Sequence, residues 1–167
     1  NALQNETEAI KLYQAALSID EHYAPALNNL GLINQRHGNL DKAAELVMKA
    51  RDFDQLFAPY HINLGGIYKD LGNFDLALTS TLKSLELQPD NPTALMNLGG
   101  IYQELGDLDQ ALATSLQSLK LKPNNPTTHI KIGNIYRDLG NPKQALAYTL
   151  KSLDLAPNND IAYINLG

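Results

Sequence analysis

The stretch Asn97–Leu112, NLGGIYQELGDLDQAL, sets Gly99, Gly100 and Gly106 among apolar and acidic residues. A glycine-rich run of this kind is either a loop that cradles a phosphate or a packing device. Asn63–Leu78, NLGGIYKDLGNFDLAL, carries nearly the same residues upstream. A phosphate loop needs the pattern G-x-x-x-x-G-K-[ST] after a strand, and neither stretch has it. The recurrence decides for packing.

The glycines Gly31, Gly65, Gly99, Gly133 and Gly167 recur every 34 residues, and Gly38, Gly72, Gly106 and Gly140 follow them in the same period. Gly66 and Gly100 are the last two, so every glycine belongs to one repeat and none is left for a catalytic loop. Other residues keep the register. Leu30, Leu64, Leu98, Ile132 and Leu166 precede the first glycine, Tyr68, Tyr102 and Tyr136 follow it, and Ala9, Ala43, Ala77, Ala111 and Ala145 form a further series. Pro89, Pro123 and Pro157 close three of the units.

Within a unit the apolar spacing is helical twice over. Leu95, Leu98, Ile101, Tyr102 and Leu105 mark one face of a first helix, and Leu108, Ala111, Leu112, Leu116, Leu119 and Leu121 that of a second. Gly106 sits between them as a left-handed C-cap, with Asp107 as N-cap and Asp109 in the next first turn. GNP at Gly140–Pro142 makes the same boundary one unit on, and DNP at Asp90–Pro92 and NNP at Asn124–Pro126 start the first helices.

A 34-residue pair of antiparallel helices with these offsets resembles the tetratricopeptide repeat (TPR) family. The resemblance implies an all-α fold: a right-handed TPR superhelix, or α-solenoid. Residues 24–57, 58–91, 92–125 and 126–159 read as complete repeats, 1–23 as a second helix alone, and 160–167 as the start of a further repeat, all in one solenoid. The slot usually held by Trp is Leu27, His61, Leu95, His129 or Tyr163. A common aromatic slot holds Val47, Thr81, Ser115 and Thr149, and the small-residue slot near it holds Ala50, Ser84, Ser118 and Ser152. These departures alter packing detail and not the fold.

Composition narrows the function. A net charge of −5 gives no basic face for nucleic acid. With no cysteine, disulfides, thiolate metal sites and thiol nucleophiles are excluded. No apolar run approaches the roughly 18 residues that cross a bilayer, so no membrane contact is expected. NALQNETEAI lacks the basic region and apolar core of a signal peptide, and a cytoplasmic location is expected. Without an initial Met, and ending at AYINLG, the chain reads as a fragment of a longer protein, whose targeting signals can lie elsewhere.

His22, His37, His61 and His129 lack metal-ligand spacing, and His61 and His129 share a slot two repeats apart, roughly 20 Å at about 10 Å per packed layer. They read as packing or surface residues. Thr81, Ser84, Ser115, Ser118, Thr149 and Ser152 recur in fixed slots, whereas a nucleophile is needed once; small hydroxyls bonded to the carbonyl a turn back explain them. The sequence thus offers no catalytic, metal or cofactor site, and the chain reads as no enzyme.

What remains is surface. In the TPR family the first helices line a concave groove. Two residues before the first glycine stand Asn29, Asn63, Asn97, Lys131 and Asn165. An asparagine offers donor and acceptor together and so pairs with any peptide backbone. Repeats about 10 Å apart, against about 3.3 Å per extended residue, give one asparagine for roughly every three peptide residues. This ladder resembles that of the O-linked N-acetylglucosamine transferase family, which implies a grip on extended polypeptide. Ile62, Met96 and Ile130 are expected to add apolar contacts, Gly66 and Gly100 to leave the helix backbone open, and Asn134, Lys69, Gln103 and Arg137 to complete the groove. The family's carboxylate clamp wants a lysine before the ladder asparagine and an asparagine three residues after it. Those slots hold Ile62 with Gly66 and Met96 with Gly100, and Lys131, Asn134 and Arg137 give only one basic spot.

Three functions stay open: a scaffold binding an extended protein or peptide partner, the substrate-recruiting region of a larger transferase, and end-to-end self-association through exposed terminal helices.

Overall fold

The computed structural model describes residues 2–158 and 160–164, and these hold ten helices and no strand. The chain divides into two compact units, residues 1–87 and 88–167. The first contains α1 (Ala2–Ile19), α2 (Ala24–Arg36), α3 (Leu40–Phe53), α4 (Ala58–Asp70) and α5 (Phe74–Leu87). The second contains α6 (Pro92–Glu104), α7 (Leu108–Leu121), α8 (Pro126–Asp138), α9 (Pro142–Leu155) and the short α10 (Asp160–Ile164). The first helices α2, α4, α6 and α8 thus recur in the sequence period.

The turns inside the pairs are built alike. Gly38, Gly72, Gly106 and Gly140 have φ of 77°, 74°, 79° and 71°, left-handed values that carry a Cβ penalty in other residues. The next amide then reaches back five residues: Asn39 to Asn34, Asn73 to Tyr68, Asp107 to Tyr102 and Asn141 to Tyr136, at 2.8–2.9 Å. This is the Schellman closure, which satisfies carbonyls the helix end would leave open. Asp107 and Asn141 then cap α7 and α9 by accepting from the amides of Gln110 and Gln144. Asn91 and Asn125 cap α6 and α8, each accepting from two amides of the first turn.

Close packing within each pair comes from the other glycine. A methyl on Gly31 would stand 2.5 Å from Val47 Cγ2, one on Gly65 would fall on Thr81 Oγ1, one on Gly99 on Ser115 Oγ, and one on Gly133 would lie 2.9 Å from Thr149 Oγ1. First glycine and facing residue are always 16 positions apart, so the register that carries the repeat also carries the contact. In the first unit Leu27, Val47, Tyr60, Leu64 and Ile67 fill the space so formed, all 5% exposed or less. Burying each large side chain of this kind contributes roughly 1.5–3 kcal/mol.

The slot hydroxyls differ from the sequence expectation. Of these six hydroxyls, Thr149 alone bonds the carbonyl a turn back among the described residues, Ala145 O at 2.9 Å. Ser118 and Ser152 instead donate across the pair, to Pro92 O at 2.7 Å and Pro126 O at 3.0 Å. Thr81 Oγ1, Ser84 Oγ and Ser115 Oγ are buried without a partner among the described residues. Thr81, Ser115 and Thr149 face the first glycine of their pair, whereas Ser118 and Ser152 stand one turn on and reach the carbonyl of the first residue of the facing helix.

Candidate functional site

In the first unit α2 packs directly on α4, and in the second α6 packs on α8. The first helices are therefore neighbours within each unit, and residues projecting from their shared side form one face. Asn29 and Asn63 lie there half-buried, as do Asn97 and Lys131 in the second unit. Asn165 lies outside the described residues, together with Leu166 and Gly167.

The asparagines bond one another in the first unit. Asn63 donates its Nδ2 to Asn28 Oδ1 at 2.7 Å, and Asn28 donates to Asn29 Oδ1 at 3.4 Å. Asn28 is not among the residues expected for the face, because Ile62, Met96 and Ile130 fill its slot in the other repeats. Its spacing of 35 from Asn63 is the available signal. The chain of bonds leaves Asn63 Oδ1 and Asn29 Nδ2 without a hydrogen bond among the described residues. Asn97 makes no side-chain hydrogen bond among them.

The same spacing recurs in each unit. Gln35 Nε2 donates to Asp70 Oδ2 at 2.7 Å, and Gln103 Nε2 to Asp138 Oδ2 at 2.6 Å. Lys69 and Arg137 each stand beside the same acids, at 3.3 Å from Asp70 and 3.9 Å from Asp138. The Gln–Asp bonds tie α2 to α4 and α6 to α8, and the neighbouring cations set a positive charge beside each of the two acids.

Other expected residues take different positions. Ile62 and Ile130 are 9% and 6% exposed, so each presents only an edge, while Met96 is half-buried. Gly66 is half-buried, but Gly100 is covered: a methyl on it would lie 3.1 Å from Lys131 Nζ. The expectation of open backbone at Gly100 is thereby corrected, since the long lysine stem reaches back over the glycine from α8. Asn134 and Arg137 line a cleft of about 290 Å³ against Leu146 and Thr149 of α9, and Asn29 lines one of about 300 Å³ against Asn5 and Tyr13 of α1.

The four histidines have separate local partners. His61 shares a hydrogen bond with Gln55 O at 2.8 Å, His129 one with Asn125 O at 2.9 Å, and His37 meets Glu6 at 2.8 Å. His22 lies against Phe53. Glu6 is also bonded to Arg36, and this pair of donors holds its carboxyl below the usual range. Among the described residues no three His, Asp or Glu side chains gather as a metal site would require, and no helix is long and apolar enough to cross a membrane.

The tetratricopeptide repeat profile matches residues 55–124 and again 90–158. The chain belongs to the tetratricopeptide repeat family. No curated protein matches it. Among solved structures it is similar to TTC0263, a thermophilic TPR protein of Thermus thermophilus, at 22% identity and a TM-score of 0.86, with 99% of this chain and 91% of that one covered. The APC/C hetero-tetramer Cut9–Hcn1 gives 23% identity and a TM-score of 0.89 over 99% of this chain and 33% of that one. YrrB, described as a TPR protein with an unusual peptide-binding site, gives 23% identity and a TM-score of 0.73 over 98% and 86%. At these identities the likeness shows the TPR fold alone.

Proposed function

We propose that this TPR chain is a protein-interaction scaffold whose first-helix faces hold an extended polypeptide by its backbone. The observation that carries the reading is Asn97, half-buried on the face with a carboxamide that bonds nothing among the described residues. The carboxamide is therefore not committed to a neighbouring side chain, and a peptide amide and carbonyl fit its donor and acceptor together. Asn29 and Asn63 each keep one such atom on the same face of the first unit. The Gln–Asp ties beside them hold the helices in place before a ligand arrives, which lowers the ordering cost of binding. A peptide-binding site in YrrB, a protein of the same fold, supports the class of ligand. The face is mixed in charge, so a partner is selected by shape and side chain more than by net charge.

The test is binding of a random extended-peptide library to wild type and to the Asn29→Ala/Asn63→Ala/Asn97→Ala variant, with circular dichroism to check equal helicity. Binding that falls sharply in the variant supports the reading. Equal binding by both overturns it.

A second reading has its own observation. Leu12 on α1 is 65% exposed, and on the α9–α10 side Leu146 and Ile161 are 50% and 59% exposed. Association of chains through these apolar faces would cover them. Sedimentation across a concentration range separates this from peptide binding, because only association raises the mass without ligand.

A further inference from the structure

The residue just before the first helix of each pair is Tyr23, Phe57, Asn91 and Asn125 in turn. Asn91 and Asn125 cap their helices, whereas Tyr23 and Phe57 make no side-chain cap. Forgoing a cap costs about 1 kcal/mol. The first unit forgoes two, and the side chains standing there are aromatic and 46% and 45% exposed.

The neighbouring slots change in the same direction. Where the second unit has Asp90 and Asn124, the first has His22 and Leu56, and Leu56 is 77% exposed. Ile19 and Phe53, the last residues of α1 and α3, are 90% and 49% exposed. The two turns meet. His22 lies on Phe53 with ring centroids 4.5 Å apart, and Phe57 packs edge-on against Tyr60 at 4.7 Å. Burial raises the pKa of Tyr60, and Asp54 and Tyr23 add to the rise, so the hydroxyl lies within electrostatic reach of both turns. Ile19, Tyr23, Phe53, Leu56 and Phe57 are the exposed apolar residues in or beside these two adjoining turns, which His22 and Phe53 join, and they make up the turn edge.

Carboxylates rim this edge: Asp20, Glu21, Asp52 and Asp54 all lie in or beside the two turns and are exposed. Arg51 is the strong cation among them, and it is paired with Asp52 at 2.6 Å. His22 stands 3.7 Å from Glu21.

We propose that the turn edge of the first unit is an interaction surface for a partner polypeptide segment that combines aliphatic or aromatic side chains with lysine or arginine. The apolar residues supply desolvated contact, the exposed rings offer faces to a cation, and the rim supplies complementary charge. A second copy of this chain is a poorer occupant, because it would set the same carboxylates against one another. An anionic lipid surface fails for the same reason. The surface lies at the helix ends, apart from Asn29 and Asn63 within α2 and α4, so it stands or falls independently of the groove reading.

The experiment measures fluorescence anisotropy of three labelled peptides with the intact chain. One alternates lysine and leucine around a single tryptophan, one replaces lysine by glutamate, and one replaces leucine and tryptophan by serine. The first peptide binds and the other two bind at least about tenfold more weakly, each tenfold being 1.4 kcal/mol. Tyr23→Asn/Leu56→Asn/Phe57→Asn weakens the first peptide by about tenfold or more, while asparagine at 23 and 57 restores cap chemistry and keeps the fold. Glu21→Lys/Asp52→Lys weakens it about threefold or more, with a loss that shrinks as salt is raised. This second variant touches only exposed acids and decides the matter if the first does not fold. Unchanged binding in Glu21→Lys/Asp52→Lys, or in a folded apolar triple variant, overturns the proposal. So does loss confined to Asn29→Ala/Asn63→Ala, which would put the peptide on the helix face. A concentration-dependent mass in the absence of peptide, abolished by the apolar triple variant, gives the surface to a second copy and likewise overturns it.

Discussion

Ser118 donates its hydroxyl across the helix pair to the carbonyl of Pro92 at 2.7 Å, while Ser115, three residues earlier on the same helix, is buried with no partner among the described residues. Two serines of one helix face thus have opposite consequences for folding. Ser118→Ala removes a bond between α7 and the first turn of α6, and is expected to destabilise by about 1 kcal/mol. Ser115→Ala removes a desolvated hydroxyl that bonds nothing, and is expected to be neutral or to stabilise by up to about 1 kcal/mol. Urea denaturation of the two variants checks both signs.

Gly99 and Gly106 are both required, for different reasons. A methyl at 99 falls on Ser115 Oγ and stands 3.1 Å from Ala111 O, so Gly99→Ala forces the helices apart at a cost of about 1–3 kcal/mol. Gly106 has nothing within 4 Å of an added methyl, but its φ is +79°. Gly106→Ala therefore costs about 1–2 kcal/mol through backbone conformation alone. Adding Ser115→Ala is expected to restore part of the stability of Gly99→Ala and none of that of Gly106→Ala. Thermal unfolding of the singles and doubles makes the comparison, and equal rescue of both would refute the steric account.

Asn63 and Asn97 share a repeat slot but not a bonding state. Asn63→Ala breaks the 2.7 Å bond to Asn28 and leaves that side chain without its donor, so a loss of about 1 kcal/mol is expected. Asn97→Ala breaks no side-chain bond among the described residues and should stay within about 0.5 kcal/mol of wild type. The proposed function nevertheless requires Asn97→Ala to weaken extended-peptide binding. A variant of wild-type stability and wild-type affinity would remove Asn97 from the site.

Much of the fold is legible in the sequence because one register carries several duties. The 34-residue glycine series marks the helix pairs, and Asp107, Asn141, Asn91 and Asn125 cap where turn chemistry places them. The contacts of Gly65 with Thr81 and of Gly99 with Ser115, which the structure adds, repeat in the same period. Side-chain partners are less legible, for they depend on distances between helices that periodicity does not give. Asn28 is hidden because its slot is apolar elsewhere, and Lys131 covers Gly100 because a lysine stem spans the gap between two helices. The hydroxyls of Ser118 and Ser152 follow the same logic: a local bond competes with a cross-helix bond, and the closeness of the pair decides.

Glu45 supplies the clearest dependence on pH. Lys42 and Lys49, one turn to either side on α3, each donate to it at 2.8 Å. Their hydrogen bonds and then their charges hold its carboxyl down at about 2, against an ordinary 4.5. A carboxyl whose folded pKa is depressed stabilises the fold above its unfolded pKa and loses that contribution as pH falls through the folded value. The window for Glu45 is thus from about 4.5 down to about 2. The group is exposed, so the effect on global stability is small and shrinks with salt. Carbon NMR of the side-chain carboxyl is the direct measurement: the midpoint of Glu45 is expected near 2 in the wild type and nearer the ordinary value in Lys42→Gln/Lys49→Gln. An unshifted wild-type midpoint would mean that the two lysines spend their time in solvent, not on Glu45.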